Sequence, residues 1–125
     1  MDKAKLIGIA PRLVVKNVVT TAEYYRDTFG FTIIDYFLDP PVYAMVERDG
    51  FQIHFCKSDN DTVQMNETIR KGVTDFIIWI PEIDTFFEEL KSRNAIITEG
   101  IVKRVYGGRE FIIGDCDGHT FLIAD

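Results

Sequence analysis

Two cysteines, two histidines and a single tryptophan are all that 125 residues hold of those types, and each scarcity removes an option. Cys56 and Cys116 are too few for a disulfide-stapled scaffold and lack the spacings that metal sites use. Each lies beside an Asp-Gly strand in its own half of the chain, so both are expected to be reduced and to serve packing. No apolar run approaches the ~20 residues of a membrane span, so no membrane partner is expected. Positive charge is also short: 14 Lys and Arg against 20 Asp and Glu give a formal net charge of −6. The densest basic cluster is Lys103-Arg104 with Arg109 nearby, which argues against nucleic acid as a partner, because phosphate binding relies on clustered cations. The opening Met1-Asp2-Lys3-Ala4-Lys5 leads into a predicted strand rather than a signal-peptide apolar region, so the expected location is the cytoplasm.

What is present is enough for a core, and it is arranged twice. Apolar residues make up 46% and charged residues 27%, ordinary for one globular domain over 1–125. A helix-like stretch opens near Asn17, and another opens 65 positions later at Glu82. Asp49-Gly50 and Asp117-Gly118, 68 positions apart, each lead into a short apolar strand. The order strand, helix, several strands therefore occurs twice, as modules 6–57 and 72–125 joined by a polar linker, 58–71. Half a chain of ~60 residues is marginal alone, so the modules are expected to complete each other's core.

Local signals fill in the elements. Leu6–Lys16 reads as a strand, with Pro11 marking an edge or bulge. Thr20 or Thr21 can help start a helix running to about Phe29, which Gly30 caps. Strands follow at Phe31–Leu38, Val42–Glu47 and Phe51–Cys56, the last two joined by an Asp49-Gly50 hairpin turn. The linker holds a short helix around Val63–Ile69. The second module reads as a strand at Val73–Ile80 and a helix from Pro81 to Arg93. Strands at Ala95–Val102, Arg109–Gly114 and His119–Ala124 complete it, with Val105-Tyr106-Gly107-Gly108 as a flexible loop.

Four segments carry a resemblance: Pro11-Arg12-Leu13-Val14-Val15-Lys16-Asn17 before the first helix, Tyr24-Tyr25-Arg26-Asp27-Thr28-Phe29-Gly30-Phe31, Gly108-Arg109-Glu110-Phe111, and Asp115-Cys116-Asp117-Gly118-His119. In this order and spacing the chain resembles the vicinal-oxygen-chelate superfamily of glyoxalases, bleomycin resistance proteins and extradiol dioxygenases. The resemblance implies an α+β fold of two tandem βαβββ modules, whose sheets curve into a cup with helices on the outer face. It also implies a homodimer and a small-molecule ligand. Metal-using members place one ligand on the first and one on the fourth strand of each module, positions that fall here on Ala10, His54, Asp75 and Leu122. Ala10 and Leu122 offer no lone pair, so no metal cofactor is expected, and His54 and Asp75 are the two plausible ligands if one binds.

The same alternation nominates what the cup holds instead. His54 faces away from Ile53 and Phe55, which places it on the cup side. Arg12 shares that face, where a buried charge would need Asp75, Glu110 or an anionic ligand group as partner. Trp79, on the face of Asp75 and Ile77, is a flat platform for an aromatic ring or a cation, or else ordinary core. Tyr36, Leu38, Tyr43 and Tyr106 are candidate walls, the last on a loop able to move over a ligand. Asp75 reads more simply as a solvated strand-end carboxylate, and His119 as a surface turn residue. Three readings remain: a metal-free binder of an aromatic or cationic molecule, close to the bleomycin-resistance branch; a metal-dependent lyase, isomerase or dioxygenase; and a metal-free enzyme with His54 as its catalytic base.

Overall fold

A computed structural model describes residues 2–125. The elements run β1 (Arg12–Val15), α1 (Val18–Phe29), β2 (Thr32–Phe37), β3 (Tyr43–Arg48), β4 (Phe51–Lys57), α2 (Asn66–Ile69), β5 (Phe76–Trp79), α3 (Ile83–Ser92), β6 (Ile96–Lys103), β7 (Arg109–Gly114) and β8 (Thr120–Ala124). They build two four-stranded sheets with the same internal order, β1-β4-β3-β2 and β5-β8-β7-β6. In each, the first strand pairs parallel with the fourth and the other pairs are antiparallel. This is the tandem βαβββ arrangement.

The alternation along the strands decides which face each helix covers. Leu13, Val15, Ala44, Val46, Ile53 and Phe55 are buried on the first sheet, as are Phe111, Ile113, Phe121 and Ile123 on the second. Those faces receive the helices. Residues Val18, Thr21, Ala22, Tyr25 and Phe29 of α1 are buried, three or four apart, the spacing of one helical face. Ile83, Phe86 and Leu90 do the same for α3. The two modules share one core: the Tyr25 ring lies 4.7 Å from that of Phe55 and 5.7 Å from that of Phe121. Burying each such side chain contributes roughly 1.5–3 kcal/mol, which neither module could collect alone.

Two details of the first module differ from expectation. The first strand is four residues, not eleven, and residues 2–9 are exposed and belong to no helix or strand. The register explains this: Arg12 pairs with His54, so residue 9 is level with Phe51, where β4 begins, and everything before it overhangs its own sheet. The helix opens at Asn17, where the stretch was expected to begin, but the cap is Asn17 itself and not Thr20 or Thr21. Asn17 is extended, and its Oδ1 accepts from the backbone N–H of Val19 and Thr20 at 3.0 Å, satisfying donors that the first turn leaves free. The Asp49-Gly50 hairpin turns as its chemistry requires, with φ 54° and 87°, whereas in the second hairpin only Gly118 is left-handed, at φ 95°. Gly30 closes α1 at φ 73°, and a Cβ there would meet Arg48 Nη1 at 2.9 Å.

Candidate functional site

The helix-free faces of the two sheets are where the nominated residues have to meet. On the first sheet the ladder aligns Arg12, His54 and Met45 in one row, and Val14, Cys56, Tyr43 and Phe37 in the next. Within these rows Arg12, Tyr43 and His54 form a connected group. The Tyr43 hydroxyl lies 2.5 Å from His54 Nδ1, and His54 Nε2 lies 2.8 Å from Gln52 Oε1. Gln52 Oε1 is an acceptor, so the imidazole proton sits on Nε2 and Nδ1 accepts from Tyr43. The Arg12 guanidinium stands 5.5 Å from the centre of the Tyr43 ring and donates to Cys56 Sγ at 3.7 Å. Partial burial, and then the positive charge of Arg12, push the His54 pKa down from its usual range, so the ring is neutral at neutral pH.

Arg12 was expected inside the cup as a buried charge, facing Asp75, Glu110 or an anionic ligand group. It is exposed and pairs with neither, because both carboxylates are committed elsewhere. Glu110 is buried, bound by Arg104 and by the Tyr106 hydroxyl at 2.7 Å. Tyr106 is thereby tethered at its hydroxyl while its ring stays exposed, on a loop that Gly107 turns at φ 100°.

Asp75 and His119 depart furthest from their simplest readings. Asp75 is no solvated strand end: its side chain is 8% exposed and accepts from His119 Nδ1 at 3.0 Å, from the Asn66 N–H at 2.8 Å and from the Thr120 N–H. His119 is no surface residue: it is buried, and its Nε2 reaches the carbonyl of Val14 at 2.8 Å. Strand ends near a module junction read as solvated until the facing strand is known. Burial alone would lower the His119 pKa, but the Val14 carbonyl and the carboxylates of Asp115 and Asp75 more than offset it and raise the value. Both ring nitrogens face acceptors, so the imidazolium fits this site best.

The remaining candidates divide. Trp79 is 70% exposed on the helix-free face of β5, so it is not core. Tyr36 pairs across the ladder with the buried Ala44, which turns it to the α1 side and removes it from the cup. A shift in register at Ile33/Asp35 causes this, one extra residue reversing the alternation. Leu38 sits at φ 71°, exposed, just beyond β2. Cys56, Gln52 and Phe37 join the open face, which sequence reasoning did not single out. Both cysteines are free.

The metal positions fail on donor chemistry. Ala10 and Leu122 have no donor, the Nδ1 lone pair of His54 is engaged by Tyr43, and both oxygens of Asp75 are engaged. Among the described residues no group of three His, Cys, Asp or Glu side chains could hold a metal ion. The residues present do not fit a metal. Also among the described residues, no helix is long and apolar enough to cross a membrane.

The fold is similar to several solved structures. TioX from Micromonospora sp. ML1 matches with TM-score 0.75 at 16% identity, over 94% of this chain and 97% of that one. A glyoxalase/bleomycin resistance protein/dioxygenase from Alicyclobacillus acidocaldarius matches with TM-score 0.75 at 14% identity, over 94% and 89%. A glyoxalase family protein from Enterococcus faecalis gives 0.73 at 13%, over 97% of each. These identities speak to the fold alone. A comparison with curated proteins returned no match. The family model described as Glyoxalase/Bleomycin resistance protein/Dioxygenase superfamily matches residues 7–123, nearly the whole chain, and the chain belongs to that superfamily.

Proposed function

We propose that the chain binds a small aromatic molecule bearing an acceptor or anionic group, without a metal, on the helix-free faces of its sheets. One observation carries the reading: Arg12 stands on an open sheet face with no carboxylate partner among the described residues, held by a tyrosine ring and a thiol. An unpaired guanidinium beside an aromatic wall suits a planar ligand with a carboxylate, phenolate or carbonyl. Trp79 supplies a stacking surface, and the Tyr43–His54–Gln52 chain supplies polar groups whose hydrogen bonds can re-pair with the ligand. Arg12 disfavours a simple cation, the other class the sequence admits. A homodimer is part of the reading, since a second copy would give the shallow faces of one chain a wall. Sequestration is the reading taken here because the donor set leaves metal-assisted turnover unsupported.

A catalytic role for His54 gains from the neutral state that burial and Arg12 enforce. It also needs Tyr43 to release Nδ1, because that lone pair is already occupied.

The test follows Trp79 fluorescence while aromatic acids, phenols and aromatic cations are titrated in. Acids should quench and cations should not, and Arg12→Ala should weaken acid binding about 10-fold or more, the scale of a lost charge-assisted contact. Equal response to acids and cations, or wild-type affinity in Arg12→Ala, would sink the proposal. Stoichiometric uptake of zinc, nickel or manganese lost in His54→Ala would sink the metal-free part.

A further inference from the structure

The linker between the modules is built as a wall and not as a loose connection. At its start Ser58 is buried and its hydroxyl donates to the carbonyl of Thr62 at 2.7 Å, while the Thr62 N–H donates to Asn60 Oδ1 at 3.1 Å. Farther along, the Asn66 N–H donates to Asp75 at 2.8 Å, and the Asn66 amide nitrogen donates to the carbonyl of Thr74 at 3.1 Å. Met65 folds down onto the second hairpin, where a Cβ on Gly118 would meet its Cε at 2.6 Å. Between these two clasps the linker and β1 bound a groove of about 540 Å³, a volume typical of small-molecule sites. Its floor is Val14, Met65 and Ile69. Val14 joins the groove to the open sheet face: it alternates with the buried Leu13 and Val15, so it points with Arg12 away from the helices. Two residues along a strand cover about 6.6 Å, a distance that a para-substituent spans on a benzoate held by its carboxylate at Arg12.

The chemistry of the rim says what would enter. Charge on the linker nearly cancels, since Asp59, Asp61 and Glu67 against Arg70 and Lys71 leave −1 over residues 58–71. Asp59 is the one charged side chain among the described residues that line the groove. The rest of the rim is neutral. Gln64 is exposed there with its amide engaged by no group of the described chain, and Asn66 gives its amide nitrogen to Thr74 but keeps its oxygen free. A carboxamide presents a donor and an acceptor side by side, so it meets another amide at two points. We propose that the linker groove is the second half of the ligand site: the aromatic acid held at Arg12 carries a neutral, amide-bearing substituent that passes over Val14 and pairs with Gln64 and Asn66. The apolar part of that substituent lies on Met65 and Ile69. The assignment rests on the Arg12 reading and adds the ligand's class, an aromatic acid extended by a carboxamide.

Calorimetric titration of the full chain with four benzoates tests it. 4-Acetamidobenzoate should bind about 10-fold tighter than benzoate, the scale of two neutral hydrogen bonds. 4-Propylbenzoate, which has a tail of similar length without the amide, and 4-(aminomethyl)benzoate, which puts a cation in its place, should each bind more weakly than the amide. Arg12→Ala should weaken all four. Gln64→Ala should remove most of the amide's advantage and leave benzoate unchanged, and the fold should survive because Gln64 is exposed and holds no other group. Val14→Phe, which fills the floor, should act in the same way, with an unchanged melting curve to show that the chain is folded. Equal affinity for benzoate and its acetamido derivative, a propyl or aminomethyl tail that matches the amide, or an advantage that survives Gln64→Ala would each overturn the groove assignment and leave the Arg12 reading in place. Failure of every benzoate to bind would overturn both.

Discussion

The two hairpins at Asp49-Gly50 and Asp117-Gly118 occupy equivalent places in their modules, yet they hold the opposite module with opposite chemistry. The first reaches α3 with a cation. Arg48 donates to Glu89 at 2.7 and 3.0 Å, to the carbonyl of Phe29 at 2.6 Å, and lies 5.0 Å from the Phe86 ring centre. The second reaches α1 with acids. Asp115 accepts from the Tyr25 hydroxyl and Asp117 from the Thr21 hydroxyl, both at 2.6 Å, while His119 ties the same turn to Asp75 and Val14. The Arg48–Glu89 pair keeps about a quarter of its surface in water, whereas Asp115 and His119 are buried. One repeat has therefore diverged into a partly exposed ion pair and a buried network. The difference teaches where stability resides: desolvated groups are costly to leave unpaired, and half-wet ones much less so.

Asp115 should show the largest effect. It accepts from Tyr25, from the Asp117 N–H and from the His119 N–H, so Asp115→Ala orphans three donors in the core and should cost about 3–5 kcal/mol in urea unfolding. His119→Gln strips Asp75 of its buried partner and should cost about 3 kcal/mol. Glu89→Ala, at the half-exposed seam, should cost only about 1 kcal/mol. A ranking with Glu89 first would break the comparison.

The pH dependence sharpens it further, because the two seams should fail at opposite ends. The hydrogen bond from Arg48 lowers the Glu89 pKa beneath its ordinary 4.5, so the stability it contributes is present above 4.5 and is lost as pH falls through the depressed value. His119 has a raised pKa in the folded chain. Its contribution is full below the ordinary 6.5 and is lost as pH rises through the raised value. Burial raises the Asp115 pKa in the same direction. Glu89→Gln should flatten the acid limb of stability against pH and leave the alkaline one, and His119→Gln the reverse. Two variants that change the same limb would refute the assignment of separate chemistries to the seams.

How much of this could be read beforehand depends on how local each signal is. The repeat, the helices, the Gly30 cap and the Asp-Gly turns are local, and they fixed the fold. So was the face of His54. The Tyr43–His54 contact was also within reach: a two-residue turn at Asp49-Gly50 pairs Arg48 with Phe51, which sets Tyr43 opposite Cys56 and next to His54. Tyr36 was misplaced because a register shift at Ile33/Asp35 leaves no mark in the alternation of a short strand. Asp75 and His119 were misjudged because their burial is made by contacts between residues 44 and 105 positions apart. The first lies within the second module and the second crosses to the first module, and no local pattern encodes either. Asn17 lost to Thr20 and Thr21 as the expected cap although it precedes them and is an equally good acceptor.

The open faces make the smallest prediction and the sharpest contrast with the seams. Trp79 and Arg12 touch no buried partner that their loss would orphan, so Trp79→Ala and Arg12→Ala should each change unfolding free energy by less than about 0.5 kcal/mol, the range of ordinary surface substitutions. That outcome would leave the proposed ligand, and not the fold, as the role of an exposed tryptophan and an arginine with no carboxylate partner among the described residues. If either variant unfolds the chain, that side chain is structural, and the faces differ from the seams in exposure but not in kind.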